Sequence, residues 1–302
     1  MTREEIEKFE NGFFLPAYDL FQKHLVEINS HFQDKIGVIS LFFKDDFTFN
    51  AHAKKNGSDY IIVLLSGMVP MTFDVLSENE DFFLQEYPHL KERETALGLG
   101  CNFIWNHIFG HELGHILRGH LSFIEAKATN LVGDYEVSSM GYNAGGEDFN
   151  DDHLKMLMEH DADVFSVKFV ADILVNILRK AQEINLKEED VIGLCFSSIY
   201  FFFNHMCKLD AKNSKYPPAM VRANTLQANL IKQLKNKTSL SEEKLEDLMN
   251  SSSFNAYSYL VDNGRLFQPM DYSSLGELST MENDLLRKYA AFDKVLNEKN
   301  EI

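Results

Sequence analysis

Two histidines four residues apart, set in an apolar stretch, constrain this chain more than any other feature. His111 and His115 frame the segment HELGH. An α-helix advances about 100° per residue, so residues four apart lie on nearly the same face. We therefore expect a helix that presents both imidazole rings on one side. Its flanks are apolar, as a buried helix requires: Phe103, Ile104, Ile108, Phe109, Leu113, Ile116 and Leu117.

This spacing suits a metal site. Two imidazoles one helical turn apart can bind one Zn²⁺ at about 2.0–2.1 Å. Glu112 lies next to that face, where it can take a proton from a metal-bound water and pass it to a leaving amine. Gly114 permits the close approach of a neighbouring element. The competing interpretation is a core helix with two hydrogen-bonded histidines, so a third ligand elsewhere in the chain has to decide between them.

The better candidate for the third ligand is Glu159, which follows His115 by 44 residues. Glu159 and Asp163 are again four apart on one helical face. Glu159 could complete a site of two histidines and one glutamate, and Asp163 could fix the tautomer of a ligand histidine. An ordinary acidic helix surface is the alternative for Glu159. A third histidine at the spacing HExxHxxGxxH is not available, because Arg118 and Leu121 occupy those positions.

Other histidines and acids leave alternatives open. A closed site with a fourth protein ligand would use the same parts, and His120, His160 or Asp161 could be that ligand. His107 shares the helical face of His111, although a lone extra histidine is more often structural. These options separate a catalytic metal site from one that only stabilises the fold.

The sequence predicts an α+β fold, mainly α. Residues 36–66 are rich in β-branched and aromatic residues, and Asn56-Gly57 is a strong turn signal. We expect a small antiparallel sheet of two or three strands there. An exposed loop is expected over 129–152, where glycines and aspartates cluster. Helices are predicted at about 91–125, 152–181, 187–209, 217–235, 241–261 and 281–299.

No repeat or linker divides the chain. We therefore expect a single domain over 1–302. It comprises a small sheet at 36–66, a helical catalytic core at 91–235 and a helical C-terminal part at 236–302. Residues 129–152 could form a lid or a substrate rim, since long loops in compact domains are often functional.

Charge and composition exclude several classes of protein. The chain has 29 basic and 46 acidic residues, a formal charge of −17, which disfavours binding to nucleic acid or to anionic lipid. The most apolar stretches, 60–73 and 191–206, fall short of the roughly 18 uninterrupted apolar residues of a membrane span. Three cysteines in apolar surroundings (Cys101, Cys195 and Cys207) fit reduced thiols. We expect a soluble cytoplasmic protein with no targeting segment.

At these motifs the sequence resembles a known group. HExxH followed by ExxxD is the pattern of the gluzincin metallopeptidases. The segments HELGHILRGH, EHDADVF and YPPAMVR are similar to those of the soluble Lit-like phage-exclusion peptidases and the Ste24/HtpX-type peptidases. The resemblance covers about 103–223 and implies a zincin-like core. It implies zinc bound by His111, His115 and Glu159, with Glu112 as the base and Asp163 orienting a histidine.

The same resemblance brings in Tyr216 and Arg222. Tyr216-Pro217-Pro218 and Arg222 match a segment in which relatives often have histidine at the first position. A phenol can donate a hydrogen bond to an oxyanion, so Tyr216, Arg222 and His160 are candidates for that role. Alternatively, the two prolines mark a helix start, and Arg222 pairs with a buried carboxylate.

The expected function is that of a zinc-dependent endopeptidase acting on an intracellular protein. The phage-exclusion relatives imply a toxin-like action on one host protein. The strands of 36–66 could offer an edge to an extended peptide. The expected partner is a protein or peptide substrate, with neither nucleic acid nor membrane, and the oligomeric state stays open. The alternative is a non-catalytic regulatory or sensor protein stabilised by zinc.

Overall fold

The computed structural model is mainly helical with a small three-stranded sheet near its N-terminus, which confirms the predicted α+β, mainly α class. It describes residues 1, 3–8, 12–90, 93–122, 142–144, 147–149, 151–183, 186–210 and 218–267, and positions 280, 283, 284, 287 and 289. The helices are α1 Arg3–Ile6, α2 Phe14–Ile36, α3 Met68–Ser77, α4 Glu80–Glu86, α5 Arg93–Leu117, α6 Asp151–Glu183, α7 Glu188–Asp210, α8 Ala219–Leu234 and α9 Glu242–Asp262. The strands are β1 Ile39–Lys44, β2 Ala51–Asn56, β3 Asp59–Leu65, β4 Tyr142–Ala144 and β5 Glu147–Phe149.

The long helices predicted between 91 and 261 all occur. Their ends differ from the predicted ones by at most two residues, except that α5 ends at Leu117 and not at about 125. The expected loop at 129–152 is interrupted, because β4 and β5 pair antiparallel within it and α6 already begins at Asp151. Its remaining residues lie outside the described part of the chain. So does most of the helix predicted at 281–299.

The prediction of an antiparallel sheet is wrong for one of its two strand pairs. The strand order is β1-β3-β2. The β2–β3 hairpin is antiparallel and turns at Gly57, whose φ of 65° suits glycine. The β1–β3 pair is parallel, with Ile39 opposite Tyr60 and Lys44 opposite Leu65.

Residue type explains this order. The six residues 45–50 carry the chain past the end of β3, so that β2 pairs on its far side and β3 returns between the other two strands. The sequence of β3, DYIIVLL, is a nearly continuous apolar run of the kind that a central strand needs. The sequence of β2, AHAKKN, carries lysines, which are typical of an edge strand.

Helices α5 and α6 touch backbone to backbone. A Cβ atom added at Gly110 would lie 3.0 Å from Ser166 Cα, and one added at Gly114 would lie 3.1 Å from Ala162 Cα. Glycine at both positions lets the axes approach to a distance that any side chain would prevent. The expected close approach at Gly114 is therefore confirmed, and it sets the distance between the two helices that carry the candidate ligands.

Helix α7 packs against both α5 and α6 and contributes apolar side chains to the core. Its phenylalanines, among them Phe196, Phe201 and Phe203, are fully or almost fully buried. Among the described residues, α7 is also the one helix that is long and apolar enough to cross a membrane, yet 78% of its apolar window is buried inside the protein. The helix predicted at 187–209 is therefore confirmed, and its burial is that of a core helix.

We expect Gly110→Val to destabilise the protein by about 1–3 kcal/mol, because the new side chain would force α5 and α6 apart. Gly98→Val in the same helix is the matched control. A Cβ atom at Gly98 meets nothing within 4 Å, so this change should shift stability by less than about 0.5 kcal/mol. Urea unfolding of both variants measures the difference. Equal effects would contradict the close-contact argument.

Candidate metal centre

Three side chains from two helices meet at one point. His111 and His115 extend from α5, and Glu159 extends from α6. His111 Nε2 lies 3.1 Å from Glu159 Oε2 and 3.2 Å from His115 Nε2, and His115 Nε2 lies 3.7 Å from Glu159 Oε1. The two helices predicted to converge therefore do so, although their contacting residues are 44 to 48 positions apart in the sequence.

These atoms fit a metal ion. One ligand atom from each of the three side chains can be chosen so that all three atoms lie within 4.8 Å of one another. Ligands held about 2.0–2.1 Å from a tetrahedral Zn²⁺ are about 3.3 Å apart, close to the separations found here. Imidazole and carboxylate ligands also suit other divalent ions. The geometry therefore supports a metal site, and the choice of zinc stays a prediction.

Asp163 holds His111 from the opposite side of its ring. Asp163 Oδ1 lies 2.8 Å from His111 Nδ1, so the ring donates there and turns its Nε2 towards Glu159. Arg222 binds the same carboxylate through two N–H groups, at 2.8 and 3.0 Å. Burial favours a protonated Asp163, but Arg222 and His111 outweigh it and hold its pKa well below the usual range.

The surroundings of His111 and His115 favour one positive charge. Burial by itself lowers the pKa of an imidazole, but the contacts with Asp163 and Glu159 raise that of His111 to about 10. Burial and the neighbouring His111 lower the pKa of His115 to about 3. Burial disfavours an ionised Glu159, yet His111 keeps its pKa below the usual value. In the metal-free protein the positive charge therefore lies on His111, beside the carboxylates of Asp163 and Glu159.

Glu112 lines the same cleft as His111, His115 and Glu159 but is not one of the three candidate metal ligands. Its side chain is buried, and burial together with the negative Glu159 raises its pKa to about 7. His111, Arg222 and a hydrogen bond from the backbone N–H of Ala53 act against this rise. A carboxylate whose pKa lies near neutral pH is suited to accept a proton and to return it.

A cleft of about 480 Å³ opens over these residues. Its polar side contains His111, Glu112, His115 and Glu159. Strand β2 borders it on one side, and α7 contributes an apolar wall. The remaining lining residues are Phe49, Asn50, Ala51, His52, Ala53, His107, Ile108, Leu121, Phe202, Phe203, Met206 and Arg222.

The other residues singled out in the sequence have different positions. Tyr216 lies outside the described part of the chain. Arg222 binds the buried carboxylate of Asp163, as one of its two predicted roles requires, and it also lines the cleft, while its role at an oxyanion stays a prediction. His107 donates to or accepts from Ser166 Oγ at 2.7 Å. His160 packs its ring on Tyr289, with the centroids 4.6 Å apart, and is not among the residues that line the cleft.

Sequence reasoning missed a second group of contacts behind His115. His120 Nδ1 lies 3.0 Å from His115 Nδ1, and His120 Nε2 lies 2.9 Å from Asp161 Oδ2. The nearest sequence signal is Gly119, which adopts a φ of 76° and turns the chain back after α5. The spacing of residues along a helix cannot reveal the contact between His115 and His120, because the turn at Gly119 separates the two residues.

Comparison with models of protein families, with curated proteins and with solved structures gives no match. The interpretation of the site therefore depends on its own geometry. Two imidazoles and a carboxylate converge, one ring is fixed by a buried aspartate, and a separate glutamate lies beside them in an open cleft.

We expect Glu112→Gln to stabilise the metal-free protein relative to the unsubstituted one, and to do so more at pH 8 than at pH 5. The folded-state pKa of Glu112, about 7, exceeds its ordinary value of 4.5. Ionisation therefore favours the unfolded chain, and this cost grows from about pH 4.5 to pH 7 and then levels off, on the order of 1–3 kcal/mol. Glutamine removes the cost.

Urea unfolding in excess chelator at both pH values measures this effect. The exposed Glu243→Gln is the control and should behave like the unsubstituted protein at both. A gain from Glu112→Gln that is equal at pH 5 and pH 8 would show that the Glu112 carboxylate is not held in a charge-disfavouring site.

Proposed function

We propose that this protein is a zinc-dependent endopeptidase that hydrolyses peptide bonds in a protein substrate. One observation carries the proposal. The carboxylate of Glu112 shares an open cleft with the donor atoms of His111, His115 and Glu159. A general base next to a three-ligand metal site is the arrangement that hydrolysis of an amide requires. The resemblance of these motifs to gluzincins supports the same proposal.

The chemistry divides between the metal and the protein. A zinc ion held there supplies Lewis acidity, which polarises a carbonyl and lowers the pKa of water. Glu112 accepts the proton of the attacking water and delivers it to the leaving amine. Asp163 keeps His111 in the tautomer whose Nε2 faces Glu159. Arg222 keeps Asp163 ionised.

Strand β2 offers a place for the substrate backbone. The bond from Leu65 N–H to Asn50 O fixes the alternation of the β2–β3 ladder. Every second residue of β2 pairs with β3 in this way. The backbone N–H and C=O groups of the residues between them, Ala51, Ala53 and Lys55, therefore point away from β3. The Ala53 N–H meets Glu112, so this outer edge of β2 borders the carboxylate that we propose as the base. An extended peptide added to β2 as a further strand would lie across the candidate metal centre.

Stabilisation of the oxyanion falls to the metal and a further donor. Arg222 lines the cleft and is our first candidate among the described residues. Its two N–H contacts with Asp163 orient the guanidinium, and its ring contact with Phe203 at 5.4 Å steadies it. Tyr216 stays a second candidate from the sequence.

A cytoplasmic location and an intracellular substrate belong to the same proposal. None of the three cysteines forms a disulfide, and Cys101 and Cys195 are buried. That state suits a reducing compartment. The motifs shared with phage-exclusion peptidases favour a substrate range limited to one or a few host proteins.

We expect Glu112→Gln to lower peptide cleavage by at least about 100-fold while zinc stays bound, because the base is lost and the ligands are kept. The assay uses a proteome-derived peptide library read by mass spectrometry, and metal analysis follows on the same samples. Glu243→Gln, an exposed change of the same chemistry, should cut and bind like the unsubstituted protein.

Three outcomes would contradict the proposal. If the purified protein binds no zinc, and His111→Ala therefore changes nothing in metal analysis, there is no metal centre. If zinc binds but Glu112→Gln leaves every observed cleavage unchanged, Glu112 is not the base. A protein that binds zinc and cuts nothing would agree with the regulatory or sensor alternative.

A further inference from the structure

The two histidines of the candidate centre are held by different partners. His111 Nδ1 contacts the carboxylate of Asp163. His115 Nδ1 instead contacts a second imidazole, that of His120, at 3.0 Å. His120 is 0% exposed, and its other nitrogen lies 2.9 Å from Asp161. We propose that His120 is the positioning residue of His115, in a chain that runs from His115 through His120 to Asp161. This inference rests on the proposed metal site.

Hydrogen-bond chemistry fixes the direction of the chain. An ionised carboxylate only accepts, so the Nε2 of His120 must carry the proton that faces Asp161. A neutral His120 then has its lone pair on Nδ1. His115 must therefore donate from its own Nδ1, which leaves a lone pair on its Nε2. That nitrogen is the one that faces His111 and Glu159, so His120 selects the tautomer of His115 that can bind a metal.

Asp161 is itself firmly held as an acceptor. Arg118 binds it through two N–H groups, at 2.8 and 3.1 Å, and the hydroxyl of Tyr289 donates to it at 2.6 Å. Burial favours protonation of Asp161, but His120 and Arg118 outweigh it and keep its pKa below the usual range. The end of the chain is therefore a charged, buried and fully engaged carboxylate.

The backbone explains how His120 reaches this place. Helix α5 ends at Leu117, and Gly119 takes up a left-handed φ of 76°. The N–H of Arg118 still bonds to Gly114 O, and that of Gly119 bonds to Ile116 O. The chain then turns back, which brings both Arg118 and His120 into contact with Asp161. The end of α5 is thereby tied to α6 two residues beyond Glu159.

A matched pair of substitutions tests the direction of the chain. In His120→Asn the side-chain amide lies near the position of Nδ1, so it can still accept from His115 but does not reach Asp161. In His120→Gln it lies near the position of Nε2, so it can still bind Asp161 but leaves His115 without its acceptor. The two variants are similar in size and polarity, which separates orientation of His115 from general packing.

We expect His120→Gln to weaken zinc binding about 10- to 100-fold, the usual effect of losing the partner of a ligand histidine. His120→Asn should stay within about threefold of the unsubstituted protein. Zinc affinity is measured by competition with a chromophoric chelator, and the visible spectrum of the Co²⁺ form reports the geometry of the ligands. Urea unfolding in chelator shows whether each variant folds.

The outcomes separate this inference from the proposed function. If the unsubstituted protein binds zinc and both variants bind it equally well, the positioning role is wrong and the metal site stands. Equal weakening in both variants would also overturn the role, because it would indicate a packing effect. If the unsubstituted protein binds no zinc, the proposed metal site and this inference both fail.

Discussion

The close contact between α5 and α6 is the constraint on which the site depends. Gly110 and Gly114 give up all side-chain packing so that the two backbones meet at Ser166 and Ala162. The candidate metal centre follows from that approach, because one helix carries both imidazoles and the other carries Glu159, Asp163 and Asp161. Burial of long apolar side chains between the helices would give more hydrophobic stabilisation but would move the carboxylate out of reach of the rings.

The same contact concentrates charge in the interior. Among the described residues around it are four buried or nearly buried carboxylates (Glu112, Glu159, Asp161 and Asp163) and two guanidiniums (Arg118 and Arg222). With all of them ionised and both His111 and His115 neutral, as metal ligands must be, these groups carry a net charge of −2. Uncompensated buried charge is expensive, and a dication is the species that would balance it. A dication bound there, as we propose, would couple the stability of the fold to its binding, through the same groups that would carry out the chemistry.

Sequence periodicity predicts the part of the site that depends on single helices. Spacing by four identified His111 with His115 and Glu159 with Asp163, and the glycine between the histidines indicated a close neighbour. Strand pairing was harder, since the parallel β1–β3 pair depends on which side of β3 the chain passes over residues 45–50. The apolar run in β3 and the lysines in β2 indicate that β3 is the central strand and β2 an edge strand. This order becomes apparent only when the two sequences are compared with each other.

The fourth coordination position distinguishes a catalytic centre from a structural one. A structural zinc site is closed by a fourth protein ligand, and the sequence offers His120, His160 and Asp161 for that role. In the structure His120 lies on the far side of the His115 ring, and Asp161 is engaged by three donors. Within the described residues the candidate metal-binding group therefore has three members. Its remaining side faces the cleft and Glu112, where a water could be activated, and this arrangement favours hydrolysis over a purely structural metal.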